Sequence, residues 1–332
     1  MLKHRRAAVA ATLLLALGCQ TKAPPSAETA TPTAAPAPPQ TLDPWVTPPP
    51  SPDDPPSDVD NRRRADAMCA SVTRAPFFQV EKNGKVNYIL GSRHAGVSLA
   101  KQPPIVEAKV RSASTVVLET APDDEADFPE DKSSVPELLG PELWQRYRKL
   151  VGPRRADALA RKGVLMAHFL MLGMYEDTSQ GLDSDIETLA VSLKKATAGL
   201  EAEQLQVDLM VSLLDARALR VAVQTSDRNS MQHDTETDVR DYCTGVEKAP
   251  GIDAKDRKDM LAAGYSDAEI NQIEDKMVFQ RNRNWIPKLE QLFAASDVFV
   301  VVGADHLPGD KGVLALLTKR GFNVTRVEAT AQ

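Results

Sequence analysis

The alternation of apolar and polar residues predicts strands near the start of the folded part. In FFQVEKNGKVNYIL (77–90), two runs of β-forming residues flank Asn83 and Gly84, which is typical of a hairpin with a two-residue turn. A helical stretch near 103–112 and the apolar strand TVVLE (115–119) follow. This order of strand, helix and strand favours parallel pairing between the strands.

The middle of the chain has the pattern of helices. From about 134 to 296 apolar residues recur at helical spacing, and 164–174 is apolar almost all round, which predicts a buried helix. Long helices are expected over 201–220 and over 267–295.

The last part of the chain returns to strand. The pattern predicts a strand at 297–303, a helix at 312–321 and a final strand at 323–329. We therefore predict an α/β (α+β) fold, in which a central mixed sheet is built from N- and C-terminal strands and is covered by a large helical middle section.

The first residues have the pattern of an export signal. MLKHRR is positively charged, and the apolar AAVAATLLLAL that follows is shorter than the roughly 20 residues that span a bilayer. A small residue and then a cysteine follow this run, which predicts a bacterial lipoprotein signal with lipidation at Cys19, and ordinary signal cleavage near this point is the alternative.

Proline dominates the next segment. Residues 20–60 hold 13 of the 24 prolines, so this segment is expected to be a disordered or extended tether. The predicted organisation is a signal peptide over 1–18, a tether over 19–60 and one folded domain over 61–332. The lipid bilayer is then a partner, and the protein is expected in the cell envelope, facing the periplasm or on the outer membrane.

Composition and charge exclude some classes. Hydrophobic residues make up 42% and charged residues 26%, as in soluble globular proteins. The net charge is −6 and the folded part has no strongly basic block apart from the short NRRR (61–64), which argues against nucleic-acid binding. Serine-elbow, HExxH, Walker and GxGxxG motifs are absent from the sequence.

Export changes the interpretation of the remaining cysteines. Cys69 and Cys243 are an even pair in an oxidising compartment, which favours one disulfide closing a long loop. Two unrelated buried thiols are the alternative.

Two histidines follow strands in matching contexts. Gly91 and Gly303 each end an apolar strand and are expected to allow a turn there, and His94 and His306 come three residues later in GxxH motifs. Glu119 ends a third strand. If these strands are parallel neighbours, their carboxyl ends bring the three side chains together.

Two imidazoles and a carboxylate are a sufficient set for a catalytic divalent metal, with Zn, Mn or Co all plausible. Such a metal activates water to attack a peptide or another carbonyl substrate. Two alternatives stay open: Glu119 acts as a general base while the histidines bind metal or stabilise charge, or the histidines and Glu119 hydrolyse an ester without metal.

The motifs together resemble the TraB/GumN/Tiki family, with a more distant likeness to ChaN-like and erythromycin-esterase-like proteins. LGSRHAGV, VVLET, GLDSDIETLA, GLEAEQL, QRNRNW and VVGADHLPGDKGVLALLTKRGFNVTRV follow the family's order over roughly 75–330. The resemblance implies a metal-dependent protease-like hydrolase that uses His94, Glu119 and His306. A haem-, metal- or ligand-binding lipoprotein without turnover is the alternative that the ChaN-like relatives imply.

The resemblance also adds supporting residues. It marks Arg281 and Asn282, although the helical pattern alone favours a surface pair that bonds a neighbouring loop. It also marks Asp183, which is expected to cap the helix after Gly181, and Glu201, which is expected to begin the next helix. Two other histidines have simpler interpretations: His168 as a satisfied core residue and His233 as a solvated loop residue.

Overall fold

The computed structural model describes residues 55–129, 131–295 and 297–328. Its centre is a six-stranded mixed sheet with the order β4-β3-β5-β2-β1-β6. The signal peptide, Cys19 and nearly all of the tether lie outside the described residues. The strands are β1 Phe77–Lys82, β2 Lys85–Ser92, β3 Thr115–Leu118, β4 Ala196–Gly199, β5 Val298–Gly303 and β6 Asn323–Arg326.

The predicted hairpin forms, and β2 and β3 run parallel as predicted but do not pair with each other. Asn83 and Gly84 have φ of 54° and 74°, the left-handed values that a two-residue hairpin turn requires. β5 lies between β2 and β3 and is parallel to both, and β3 is parallel to β4, whereas β1 is antiparallel to β2 and β6. The carboxyl ends of β2, β3 and β5 therefore lie at one edge of the sheet.

Helices surround this sheet and fill the middle of the chain. Short 3₁₀ segments follow β2 and β5, and a π-helical segment, Asp275–Phe279, joins two of the helices. The helices are α1 Asp58–Met68, α2 Pro104–Ser112, α3 Val135–Val151, α4 Pro153–Leu159, α5 Val164–Leu172, α6 Leu182–Ser192, α7 Glu203–Leu213, α8 Ala216–Thr225, α9 Arg228–Thr244, α10 Ala254–Ala262, α11 Asp267–Glu274, α12 Gln280–Ala295 and α13 Val313–Lys319.

Both faces of the sheet are buried under apolar cores, and successive side chains along β5 point alternately into one core and the other. Phe299 and Val301 pack on the face covered by α2, α6 and α9. Val300 and Val302 pack on the opposite face, against α12 and α13, where Trp285 is fully buried. A further core joins α3, α5 and α8 in the helical section.

The fold class is confirmed, and two elements differ from the prediction. β4 comes from the middle of the sequence, so the sheet is not built from the terminal strands alone. The long helix expected over 201–220 is two helices, because Asp215 caps the second one by accepting a hydrogen bond from the Ala218 amide at 2.8 Å.

A disulfide links two helices on one side of the sheet. Cys69 and Cys243 form a disulfide with Cα atoms 5.8 Å apart, which ties the end of α1 to α9. Within the described ranges, none of the helices has the length and apolar character needed to cross a membrane.

Candidate functional site

The candidate site lies at the carboxyl edge of the sheet. Ser92, the last residue of β2, pairs with Gly303, the last residue of β5, so the two GxxH segments leave adjacent strands at the same level. Glu119 follows β3 on the other side of β5. The topology therefore brings together three residues that are far apart in the sequence, His94, Glu119 and His306.

These three side chains meet at Gly303. A methyl group on the Cα atom of Gly303 would lie 3.3 Å from Glu119 Oε1, 3.4 Å from His94 Nε2 and 3.5 Å from His306 Cδ2. All three side chains are less than 10% exposed. The site is thus a compact buried cluster around a residue that has no side chain.

Both motif glycines leave space for their neighbours. Neither Gly91 nor Gly303 has a positive φ, so the expected need for a glycine turn is wrong. A Cβ atom at Gly91 would approach Leu307 Cδ1 to 2.8 Å and Ala304 Cα to 3.0 Å. Gly91 therefore lets the second motif pack against β2, and Gly303 leaves room between the site side chains.

His94 forms a dyad with Asp183. Its Nδ1 lies 2.7 Å from Asp183 Oδ2, and the other Asp183 oxygen accepts a hydrogen bond from Ser92 Oγ. Burial alone would lower the pKa of His94, but the Asp183 carboxylate, assisted by Glu119, raises it to about 9. With Nδ1 bonded to Asp183, His94 presents Nε2 to the centre of the site.

His306 is held in one tautomer by Asn282. The Asn282 amide nitrogen donates to the backbone oxygens of His306 and Lys311, so its oxygen accepts from His306 Nδ1, at 2.6 Å. The Nε2 lone pair then accepts from Arg281 Nη1 at 3.1 Å. Burial and the nearby Arg281 charge lower the pKa of His306 to about 3, so the ring is neutral near pH 7.

Glu119 is an anion held by donors on both oxygens. Its Oε1 accepts from the Gly303 amide at 2.7 Å, and its Oε2 accepts from Arg281 Nη2 at 2.6 Å and Gln206 Nε2 at 3.1 Å. Burial would raise the pKa of Glu119, but the Arg281 guanidinium and the two histidines hold it far below its ordinary value. A carboxylate this stabilised is a poor general base, yet Oε1 accepts only the Gly303 hydrogen bond and keeps one lone pair for a further donor.

Arg281 is the cation at the centre of this network. Its Nε donates to Glu201, its Nη2 to Glu119 and Glu201, and its Nη1 to His306 and the Met277 carbonyl. A guanidinium has five N–H donors, and these contacts use all of them. Arg281 therefore organises the site and has no hydrogen left to donate to a substrate.

The supporting residues differ from the expectations drawn from helical pattern. Arg281 and Asn282 are 4% and 0% exposed, so a surface pair is wrong. Asp183 lies inside the first turn of α6 and makes no cap there, because its carboxylate bonds His94. Glu201 precedes α7 by two residues instead of beginning it, and binds Arg281 and Trp285.

Sequence reasoning missed Gln206, Trp285 and Ser92. Gln206 bridges Glu119 and Glu201, whereas Gln204, the glutamine of GLEAEQL, bonds the exposed segment near Asp127. The ring of Trp285 lies 4.5 Å from that of His306. Trp285 lies four residues after Arg281, on the same helix face, and that spacing is a signal that was available.

The two other histidines among the described residues lie away from the cluster. His168 is buried, bonds the Asp215 carbonyl through Nε2 at 3.1 Å and has its pKa lowered by burial to about 4, as expected for a core histidine. His233 is exposed as expected, but it lies on α9 rather than in a loop.

A cavity of about 780 Å³ adjoins the cluster. It is lined by His94 and Arg93, by residues 304, 305 and 307–309, and by the connection from α9 to α10 (245–253). Arg93 donates to both oxygens of Glu176, at 3.0 and 2.8 Å, so its charge is neutralised where it faces the cavity. The cavity thus gives a ligand access to the His94 side of the cluster.

The donor set does not fit the expected three-ligand metal site in its present arrangement. Arg281 occupies the Nε2 lone pair of His306 and one oxygen of Glu119, which leaves His94 Nε2 and Glu119 Oε1. In the described part of the chain, no group of three His, Cys, Asp or Glu side chains is arranged to hold a metal ion. Metal binding by His94, Glu119 and His306 stays a prediction.

Comparison with known proteins gives the family. No curated protein matches the chain, and no solved structure does. The model of the TraB/PrgY/gumN family matches residues 76–326, which include all six strands and both GxxH motifs. The chain therefore belongs to the TraB/PrgY/gumN family.

Proposed function

We propose that this protein is a hydrolase of amide or ester bonds, with His94, oriented by Asp183, as its proton-transfer group. One observation carries the proposal: among the described residues, the hydrogen bonds leave His94 Nε2 and a lone pair of Glu119 Oε1 open, and both face Gly303. A buried imidazole and carboxylate beside a cavity are the arrangement expected of an active site.

The proposed reaction uses a water molecule between these two groups. Neutral His94 takes one proton from the water through Nε2, and Glu119 Oε1 accepts a hydrogen bond from the other hydrogen. The oxygen attacks the carbonyl carbon of a substrate in the cavity. His94 then returns its proton to the leaving nitrogen or oxygen as the bond breaks, which yields an acid and an amine or alcohol.

The pKa shifts support His94, and not His306, as the residue that transfers the proton. Arg281 and Asn282 hold Glu119 and His306 in fixed positions, and the lowered pKa of His306 makes it a poor proton carrier near pH 7. The pKa of His94 is raised to about 9, so its basic form grows as the pH rises toward that value. We therefore expect hydrolysis to speed up between pH 7 and pH 9.

Metal-dependent hydrolysis is a second candidate, favoured by one specific observation. Both His94 and His306 bond an oxygen acceptor through Nδ1, as metal-ligating histidines do. A metal held by these residues and Glu119 would activate water. Arg281 holds two of these three ligands, which counts against this candidate.

The test uses full-length protein, a panel of p-nitrophenyl esters and a fluorogenic peptide library. His94→Gln is expected to lose turnover, while His233→Gln, which alters an exposed histidine on α9, keeps it. Equal rates for His94→Gln and wild type would refute the proposal. A tightly bound chromophore without turnover would favour the ligand-binding alternative, with the ligand in the 780 Å³ cavity.

We also propose that the protein is exported and lipid-anchored through Cys19. The apolar run before Cys19 and the proline-rich tether support this, and a disulfide between Cys69 and Cys243 suits an oxidising compartment. Metabolic labelling with an alkyne fatty acid is expected to mark the wild type and not Cys19→Ser. Labelling of both proteins would contradict the proposal.

A further inference from the structure

We propose that the Arg281 guanidinium is the resident cation of this site, that it closes His306 and Glu119 to divalent metals, and that its removal opens a metal site. This inference deepens the proposed function and rests on it only for the identity of the site. Turnover decides the hydrolase proposal, whereas metal content decides this one, so each can fail while the other stands.

Arg281 occupies two of the three expected metal ligands. Arg281 Nη1 lies 3.1 Å from His306 Nε2, and Nη2 lies 2.6 Å from Glu119 Oε2. The Nε2 atom of His306 has a single lone pair, which cannot bind a metal while it accepts a hydrogen bond. A divalent ion therefore has His94 Nε2 and Glu119 Oε1 as its accessible donors, fewer than the three or four protein ligands typical of such sites.

The charges of Arg281 and its carboxylate partners are buried, which makes the guanidinium difficult to displace. Arg281, Glu119 and Glu201 have side chains less than 10% exposed, so solvent screens their interactions weakly. The guanidinium neutralises one of the two carboxylates and also repels any cation that approaches His306 Nε2. Displacing Arg281 by a metal would take Glu119 and His306 away from a buried guanidinium, which is unfavourable.

Removal of the guanidinium changes the donor set. Without it, the Nε2 lone pair of His306 and the second oxygen of Glu119 become available next to His94 Nε2. The contacts of Asp183 and Asn282 with the Nδ1 atoms do not involve Arg281 and keep both rings oriented. Two imidazoles and a carboxylate are then free to bind Zn²⁺ or Co²⁺.

The experiment measures metal uptake by full-length Arg281→Met, a substitution that keeps much of the apolar volume of the side chain. Each protein is treated with chelator, incubated with CoCl₂ or ZnCl₂, desalted and analysed for bound metal, and Co²⁺ coordination is followed by visible absorption. The matched control is Arg283→Met on the same helix, because Arg283 is half exposed and bonds Asp275.

We expect about one equivalent of metal in Arg281→Met, and substoichiometric metal in wild type and Arg283→Met. Uptake by Arg281→Met is expected to disappear when His306→Ala is added. One equivalent in wild type that is lost in His306→Ala would overturn the proposal, and so would a folded Arg281→Met that takes up no metal. If Arg281→Met does not fold, Arg281→Gln is used with the same outcomes, and the wild-type result stands on its own.

Discussion

The two motif glycines provide a test that separates stability from chemistry. Alanine at Gly91 places a methyl group 2.8 Å from Leu307 Cδ1, 3.0 Å from the backbone Cα of Ala304 and 3.1 Å from Pro76 Cγ. Backbone atoms cannot move aside as side-chain ends do, so we expect the upper part of the usual overpacking range, about 2–3 kcal/mol. For a domain of this size that is a fall in melting temperature of about 4–10 °C.

Alanine at Gly303 meets side-chain atoms only, at 3.3–3.5 Å, and the residue has φ of −50° and ψ of 136°, which alanine adopts without strain. A lower entropy of the unfolded chain offsets part of the crowding. We therefore expect the free energy of unfolding to change by less than about 1 kcal/mol. The methyl group would nevertheless stand between His94 and Glu119, and we expect hydrolysis to fall about a hundredfold.

The assay is urea unfolding of both variants together with hydrolysis of the best ester found for wild type. Gly303→Ala should be nearly as stable as wild type and nearly inactive, while the loss of activity in Gly91→Ala should follow its loss of folded protein. A Gly303→Ala protein with wild-type hydrolysis would refute the assignment of the reaction to this space. A Gly91→Ala protein as stable as wild type would refute the packing argument.

Three further predictions concern the disulfide and the dyad. The disulfide spans 174 residues, so replacing Cys69 and Cys243 by serine is expected to lower the free energy of unfolding by about 5 kcal/mol in urea titrations, and a loss below about 1 kcal/mol would contradict the loop-entropy argument. The pKa of His94 is raised from 6.5 to about 9 in the folded protein, so the stability that its protonation contributes is complete below pH 6.5 and is lost as the pH rises to about 9. In urea titrations at pH 6.5 and pH 9, Asp183→Asn should show a smaller difference in the free energy of unfolding than wild type. An equal difference in both proteins would argue against the dyad. In pH–rate profiles, Asp183→Asn should move the rise in rate to lower pH, because His94 loses the carboxylate that raises its pKa, and should reduce the maximal rate. A profile identical to that of wild type would show that Asp183 does not act on His94.

The convergence of the histidines followed from sequence pattern, because parallel strands place their carboxyl ends together. The apolar runs before Gly91 and Gly303 identified two such strands. The parallel pairing of β2 with β5 places the GxxH segments that follow them side by side. β4 was not predictable in this way, since Ala196–Gly199 consists of small residues and threonine without an apolar run. It forms because β3 offers it a free edge.

The role of Arg281 was harder to infer, since charged residues are rarely buried unless paired. Its partners, Glu119 and Glu201, are 162 and 80 positions away, and no local pattern reports such distances. Similarly, Asp183 sits in the first turn of a helix, where a capping or dipole role is the usual expectation. Only the fold reveals that His94 lies within reach of it.

The π-helical segment Asp275–Phe279 has a consequence for how this region tolerates change in length. It lies directly before α12, and within it the Met277 carbonyl accepts a hydrogen bond from Arg281 Nη1. Removing one residue there would turn everything upstream by about 100° relative to Arg281. A change in length within the exposed connections leaves this contact in place, whereas the loss of one residue from this segment would move the Met277 carbonyl out of reach of Arg281 Nη1.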